Sequence, residues 1–241
     1  MLRFMLGPRW IGLTVFAIAV VAICVRLGMW QLDRLEGRRD LNERYAAGLE
    51  AAPESLETLL ERGGSLVYRR AVATGRYDAD REVILYGRTL DGRSGNHVLT
   101  PLVLADGRAI IVDRGWVPFE MDHPPVAEAA PPDGEVDVAG TLFAGQTGGA
   151  GDIAEGADRV TVVRSVDIEA IARDVPYELV PLFLQLRTQS PAAMADLPVP
   201  EPPPVLTEGP HLSYAFQWFA FAAIGAIGYV ILVARQARDE A

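Results

Sequence analysis

The sequence predicts a membrane α+β protein: two transmembrane helices flanking a mainly antiparallel β domain that lies outside the cytoplasm. Three observations carry this. Residues 10–25 are uncharged, and so are the 24 residues from His211 to Ala234. Between them, short runs of alternating polarity are separated by turn residues such as Asp91-Gly92 and Asp106-Gly107. At about 1.5 Å of rise per residue, roughly 20 residues cross the hydrocarbon of a bilayer, and each apolar run supports a helix of that size.

The first helix is expected from about Trp10 to Met29, with Arg26 reaching back to the interface. A cleaved signal peptide is the competing reading. It is disfavoured because Arg-Leu-Gly-Met-Trp follows where a small-residue cleavage region belongs. A lipoprotein signal would place a small residue before Cys24, and Ile23 is not small. Arg235 and Arg238 after the second span place the C-terminus in the cytoplasm. The arginines around the first span favour the opposite sense, but a long loop crosses largely regardless of its charge. Both termini are therefore expected in the cytoplasm of a two-pass protein of the cell (inner) membrane.

Past the bilayer the first helix is expected to run on to about Ala47, its acidic and basic residues interleaved at three- and four-residue spacing. Pro53 begins a short helix over 52–62, stopped by Gly63-Gly64. Strands are expected over 69–76, 82–88, 97–104, 108–113, 136–143, 159–163 and 182–188. Pro101 argues that its strand is an edge or bulged. A helix over 165–174 has Ser165 as its N-cap. Residues 145–156 read as a glycine-rich acidic loop with neither of the phosphate-binding glycine patterns. Residues 190–204 hold six prolines and read as a semi-rigid tether back to the membrane. The chain thus divides into a tail and first span (1–30), juxtamembrane helices (31–62), a β domain (63–189), a proline-rich tether (190–208), a second span (209–234) and a cytoplasmic tail (235–241).

Composition excludes several classes. A net charge of −10 argues against a nucleic-acid partner, which wants a basic face. All 22 basic residues are arginine, a mark of genome composition rather than function. The single cysteine, Cys24, allows no intrachain disulfide and no thiolate metal cage. In the outer domain only His97 and His123 offer imidazole, without a spacing that pairs metal ligands, and no nucleophile elbow appears. Asp113-Arg114 is the one dense polar cluster, read as a strand end capped by an ion pair and a tight glycine turn. No enzymatic activity is expected.

The second span is the richer stretch. Pro210 suits its first helical position, which sets His211 in the first turn at the membrane edge. At about 100° per residue, His211, Ala215, Trp218, Ala222, Gly225 and Tyr229 share one face, with Tyr214 beside it. Small residues deep in that face suit packing on another helix. Two readings of the rim stand at this point: an aromatic belt with a merely interfacial histidine, or a place that holds a ligand.

Three motifs carry a resemblance. Gly28-Met-Trp-Gln-Leu-Asp-Arg34 is similar to the Gly-x-Trp-Gln-x-x-Arg motif of the surfeit locus protein family. Val112-Asp-Arg-Gly-Trp-Val-Pro118 resembles its central motif, and His211-Leu-Ser-Tyr-Ala-Phe-Gln-Trp-Phe219 its last. Pro210 stands where asparagine is common, and Glu36-Gly37-Arg38 departs from the usual continuation of the first motif. The likeness covers essentially the whole chain.

The resemblance implies an assembly factor for haem-copper cytochrome c oxidase, binding haem a and aiding its insertion into, or retention by, subunit I. Subunit I, the enzyme of haem a synthesis and membrane lipid are the partners it implies. The cofactor site it suggests is His211, Tyr214, Trp218, Trp30 and Arg34, with His211 the iron ligand. Antiparallel spans would set Trp30 and Arg34 at the depth of His211, supplying an axial nitrogen, an apolar wall and cations for the propionates. The alternative is a cofactor-free scaffold that stabilises a subunit I intermediate.

Overall fold

A computed structural model describes residues 6–147, 159–193 and 195–239. The glycine-rich loop expected over 145–156 lies, from residue 148, outside the described residues. The chain separates into two compact units: one holds α1 as far as Arg44 with the segment from Val205 on, the other residues 45–204.

The first unit holds most of α1 (Pro8–Glu50), a single uninterrupted helix, and all of the described α4 (His211–Asp239). Both are long and apolar enough to cross a membrane. Side chains such as Phe16, Ile18, Ile23, Phe216, Ile224 and Val230 are exposed on their outer surfaces. Water would penalise such a surface, and lipid would not. The helix of α4 begins one residue later than expected: Pro210 stands just before it and its carbonyl accepts the Tyr214 N–H at 3.1 Å.

The second unit is built on eight strands: β1 (Glu54–Ser55), β2 (Arg70–Tyr77), β3 (Val83–Leu90), β4 (Arg93–Leu104), β5 (Ala109–Pro118), β6 (Val136–Ala144), β7 (Val162–Val163) and β8 (Leu179–Ser190). Their order in the sheet is β1-β2-β6-β8-β5-β4-β3-β7. An additional β2–β4 pairing closes β2, β6, β8, β5 and β4 into a ring. Most pairings are antiparallel, as expected; β1–β2, β3–β7 and β5–β8 are parallel, so the sheet is mixed. Inside the ring, alternate residues such as Ala71, Ala73, Val136, Val138, Leu142 and Leu184 share a core with Leu56 and Leu59 of α2 (Leu56–Arg62). A second core, with Leu85, Leu99 and Ile111, packs under Ile168 and Ile171 of α3 (Ile168–Ala172).

Several local expectations are corrected. Residues 52–55 are not helical: Glu54 and Ser55 pair with β2, and Ser55 caps α2 by accepting the Thr58 N–H. The cap of α3 is Asp167, which accepts from Ala170, rather than Ser165. An aspartate directly before the first turn outcompetes a serine two residues earlier. Pro101 lies in an interior strand. It occupies the gap where β4 exchanges β3 (last pair Val83–Leu99) for β2 (first pair Tyr77–Leu102). A residue without an N–H costs the ladder nothing at such a gap. Residues 190–204 do not form a free tether. Val199 bridges to Trp116 through two backbone hydrogen bonds of 2.7 and 2.9 Å, and Glu201 accepts from Gln185.

The central motif is also no strand end. Leu99 pairs with Asp113 and Val98 with Gly115, which leaves Arg114 as the extra residue of a β-bulge. Asp113 and Arg114 point to different partners. Asp113 Oδ2 meets His97 Nδ1 at 3.0 Å, while Arg114, fully buried, approaches Glu82 at 3.5 Å and stands 5.3 Å from the Tyr77 ring centre. Glu82 also accepts the Val126 N–H and the Thr100 hydroxyl.

Burial pushes the Glu82 carboxyl above its usual 4.5, against the pull of the Val126 N–H and Arg114. The folded state therefore holds this proton more tightly than the unfolded chain. The group's contribution to stability is complete below the ordinary value and is lost as pH climbs through the raised one. Relative to Glu82→Gln, wild type should lose stability as pH rises above the ordinary carboxylate value, by at most about 1.4 kcal/mol per pH unit, read as a falling melting temperature. A difference independent of pH, or one that grows with pH, contradicts this assignment.

Candidate functional site

In the membrane unit, the residues of α1 withdrawn from the surface recur every three or four positions: Thr14, Ala17, Val21, Cys24, Gly28, Gln31 and Leu35. On α4 the withdrawn residues are His211, Ala215, Trp218, Ala222, Gly225 and Tyr229, with Phe219 beside them. This includes all six residues that helical periodicity placed on one face. The two stripes meet in an antiparallel seam. Thr14 and Tyr229 hydroxyls lie 2.6 Å apart at one end, and a Cβ on Gly225 would sit 3.7 Å from Val21 in the middle. Toward the other end the Phe219 ring covers Gly28 so closely that a Cβ there would fall 2.6 Å from the ring. Small residues at these points let the backbones approach.

At the mouth of the seam His211 Nδ1 lies 2.9 Å from Gln31 Oε1. An amide oxygen only accepts, so the imidazole donates from Nδ1 and carries its proton there. Nε2 then keeps its lone pair, and a ring nitrogen in that state is the form that ligates a metal. Nε2 lies on the flank of Gly209, where φ is +69° and an added Cβ would stand 3.6 Å from it. Just beyond, Arg39 grips Glu208 in a two-pronged ion pair of 2.8 and 2.9 Å, and Asn42 donates to the Thr207 carbonyl. The Arg39 hydrogen bonds hold the Glu208 carboxyl below its usual range. Both side chains are exposed, so this pair sets geometry more than stability.

The residues predicted for the site divide into two groups. His211 and Trp218 lie on the seam; the Trp218 ring packs edge-on against Phe221 with centroids 5.9 Å apart. Tyr214, Trp30 and Arg34 are on the outward surface. There the Arg34 guanidinium lies over the Trp30 ring at 5.6 Å, and among the described residues no carboxylate pairs with it. Sequence reasoning did not single out Gln31 or Gly28. Their signal was present in the first motif. Gly28, Gln31 and Leu35 follow helical spacing, and Gln31 is a polar side chain buried at the depth where His211 was expected.

These same stretches connect the chain to known proteins. A family model described as the SURF1 family matches residues 18–223. An uncharacterized SURF1-like protein of Mycobacterium tuberculosis is 30% identical over 233 residues, covering 94% of this chain and 84% of that protein. A SURF1-like protein of Monosiga brevicollis is 25% identical over 232 residues, covering 92% and 87%. Human Surfeit locus protein 1 is 26% identical over 213 residues, covering 82% and 69%. With a match that spans most of its length and takes in all three motifs, the chain belongs to the SURF1 family.

Proposed function

We propose that this protein is an assembly factor for haem-copper cytochrome c oxidase that takes haem a as cargo at the membrane rim and passes it to subunit I. The observation that carries this reading is the Gln31–His211 hydrogen bond, which fixes the imidazole with Nε2 available. Haem needs an axial nitrogen, an apolar wall and cations for its propionates. His211 supplies the first, Trp218 and Trp30 the second, and Arg34, which meets no described carboxylate, the third. In this reading the protein works as a carrier rather than an enzyme. It sits in the cell membrane with both termini in the cytoplasm, the sense favoured by Arg235 and Arg238. Tyr214, exposed one turn along α4 from His211, borders the same lipid-side mouth.

A cofactor-free scaffold is the second reading. The outward position of Trp30 and Arg34, away from the seam, favours it. The visible spectrum of protein purified from cells that make haem a separates the two. The carrier is expected to retain haem in wild type and to lose at least about 90% of it in His211→Ala, as deletion of a haem ligand should. Wild type purified without haem, or haem retained unchanged in His211→Ala, refutes the carrier and leaves the scaffold.

A further inference from the structure

The β domain contains a second constellation, wholly within its own unit and separate from the seam. A cavity of about 220 Å³ is lined by His97, Asp113, Gln185 and Glu201, with Arg88 and Phe183 beside them. His97 and Asp113 are 3% and 4% exposed, and Glu201 is exposed at the edge. The three come from β4, β5 and the segment after β8, so no sequence spacing announces them. One donor atom of each lies within 4.8 Å of the others.

We propose that His97, Asp113 and Glu201 form a binding site for a divalent transition-metal ion of the zinc class. Charge is the first argument. Two carboxylates share the site with one imidazole, and Arg88, the cation beside them, donates to the Arg164 carbonyl, so a divalent cation would balance the carboxylates. The carboxylate of Glu201 accepts from the neutral Gln185 amide, and Arg187 donates to the Glu201 backbone carbonyl instead. Burying the Asp113 carboxylate without such a balance is costly.

Geometry is the second argument. His97 Nδ1 donates to Asp113 Oδ2 at 3.0 Å, and an ion held by both would displace that proton, as metals do when they take a ligand. The carboxylates are already held from behind. The Gly115 N–H donates to Asp113 Oδ1 at 3.1 Å, and Gln185 Nε2 donates to Glu201 Oε2 at 2.6 Å. Such outer contacts orient metal ligands.

The donor set is the third argument. One nitrogen and two oxygens, with no thiolate, suit Zn²⁺ among the ions that bind tightly to mixed nitrogen and oxygen sites. Three protein ligands would leave a fourth position facing the cavity.

The test is calorimetric titration of the metal-stripped full-length protein in detergent with Zn²⁺. One Zn²⁺ per chain is expected, with affinity at least about tenfold weaker in Glu201→Gln and no binding at that site in His97→Asn. Glu201 is exposed, so its amide variant keeps the fold even where the buried His97 variant does not. The proposal is overturned by the absence of saturable Zn²⁺ binding in wild type. Binding with the same affinity in Glu201→Gln also overturns it, because that result would remove Glu201 from the site.

Discussion

Gly28→Leu should open the seam of the membrane unit and abolish retention of any cargo bound at His211. Gly28 lies under Phe219, with three ring atoms between 2.6 and 3.0 Å from where its Cβ would stand. Those atoms are the far end of a side chain that can turn, so Gly28→Ala should be tolerated at a small cost. Leucine adds three further carbons with no room to receive them, and overpacking of this kind costs about 1–3 kcal/mol. The consequence reaches His211 because Gln31, one turn along α1 from Gly28, holds the imidazole only while the helices stay close. Haem retention and detergent melting temperature should both fall in Gly28→Leu. Removing the obstructing ring with Phe219→Ala should restore part of each. If Gly28→Leu behaves as wild type, or if Phe219→Ala gives no rescue, the close approach is not what positions His211.

The largest effect in the β domain is expected for Gly115→Ala. Gly115 has φ of +123°, which a side chain adopts only under strain. Its Cβ would fall 2.2 Å from the Val199 carbonyl oxygen and 2.8 Å from the Pro200 Cα, both backbone atoms that cannot rotate aside. The substitution therefore breaks the two hydrogen bonds between Trp116 and Val199. Strain of about 1–3 kcal/mol and two hydrogen bonds of about 1 kcal/mol each suggest a loss of about 3–5 kcal/mol. For a domain of this size that corresponds to roughly 10 °C in melting temperature. Limited proteolysis should then cut the segment around Val199 first. A variant that melts with wild type and resists cleavage there would show that the segment does not depend on Gly115.

What could be read from the sequence follows from which signals are local. Both long helices announce themselves by uncharged length, and the face of α4 that packs on α1 follows from its 3.6-residue period. Each of the seven expected strands exists, because alternation and turn residues are local features. The helix caps were misplaced by one or two residues where two capping side chains compete, as Ser165 and Asp167 do. The reading of Asp113-Arg114 failed for a different reason. Neighbours in a strand face opposite sides, and a bulge at Arg114 turns the guanidinium toward Glu82 while Asp113 goes to His97. Which residues meet across a sheet is set by register, and register is invisible without the partner strand. Gln31 was missed because a neutral amide within a long helix has no compositional mark. Its role appears only when His211, 180 positions away, is placed against it.

One feature of the sheet bears on how the domain is made. The strand that comes last in the chain, β8, is inserted between β5 and β6, and Leu184 pairs with Val112 across 72 residues of sequence. The barrel thus lacks a stave until nearly all of the domain has been synthesised. Contacts so distant form slowly. A chain that cannot close early stays extended until its last stave has been made.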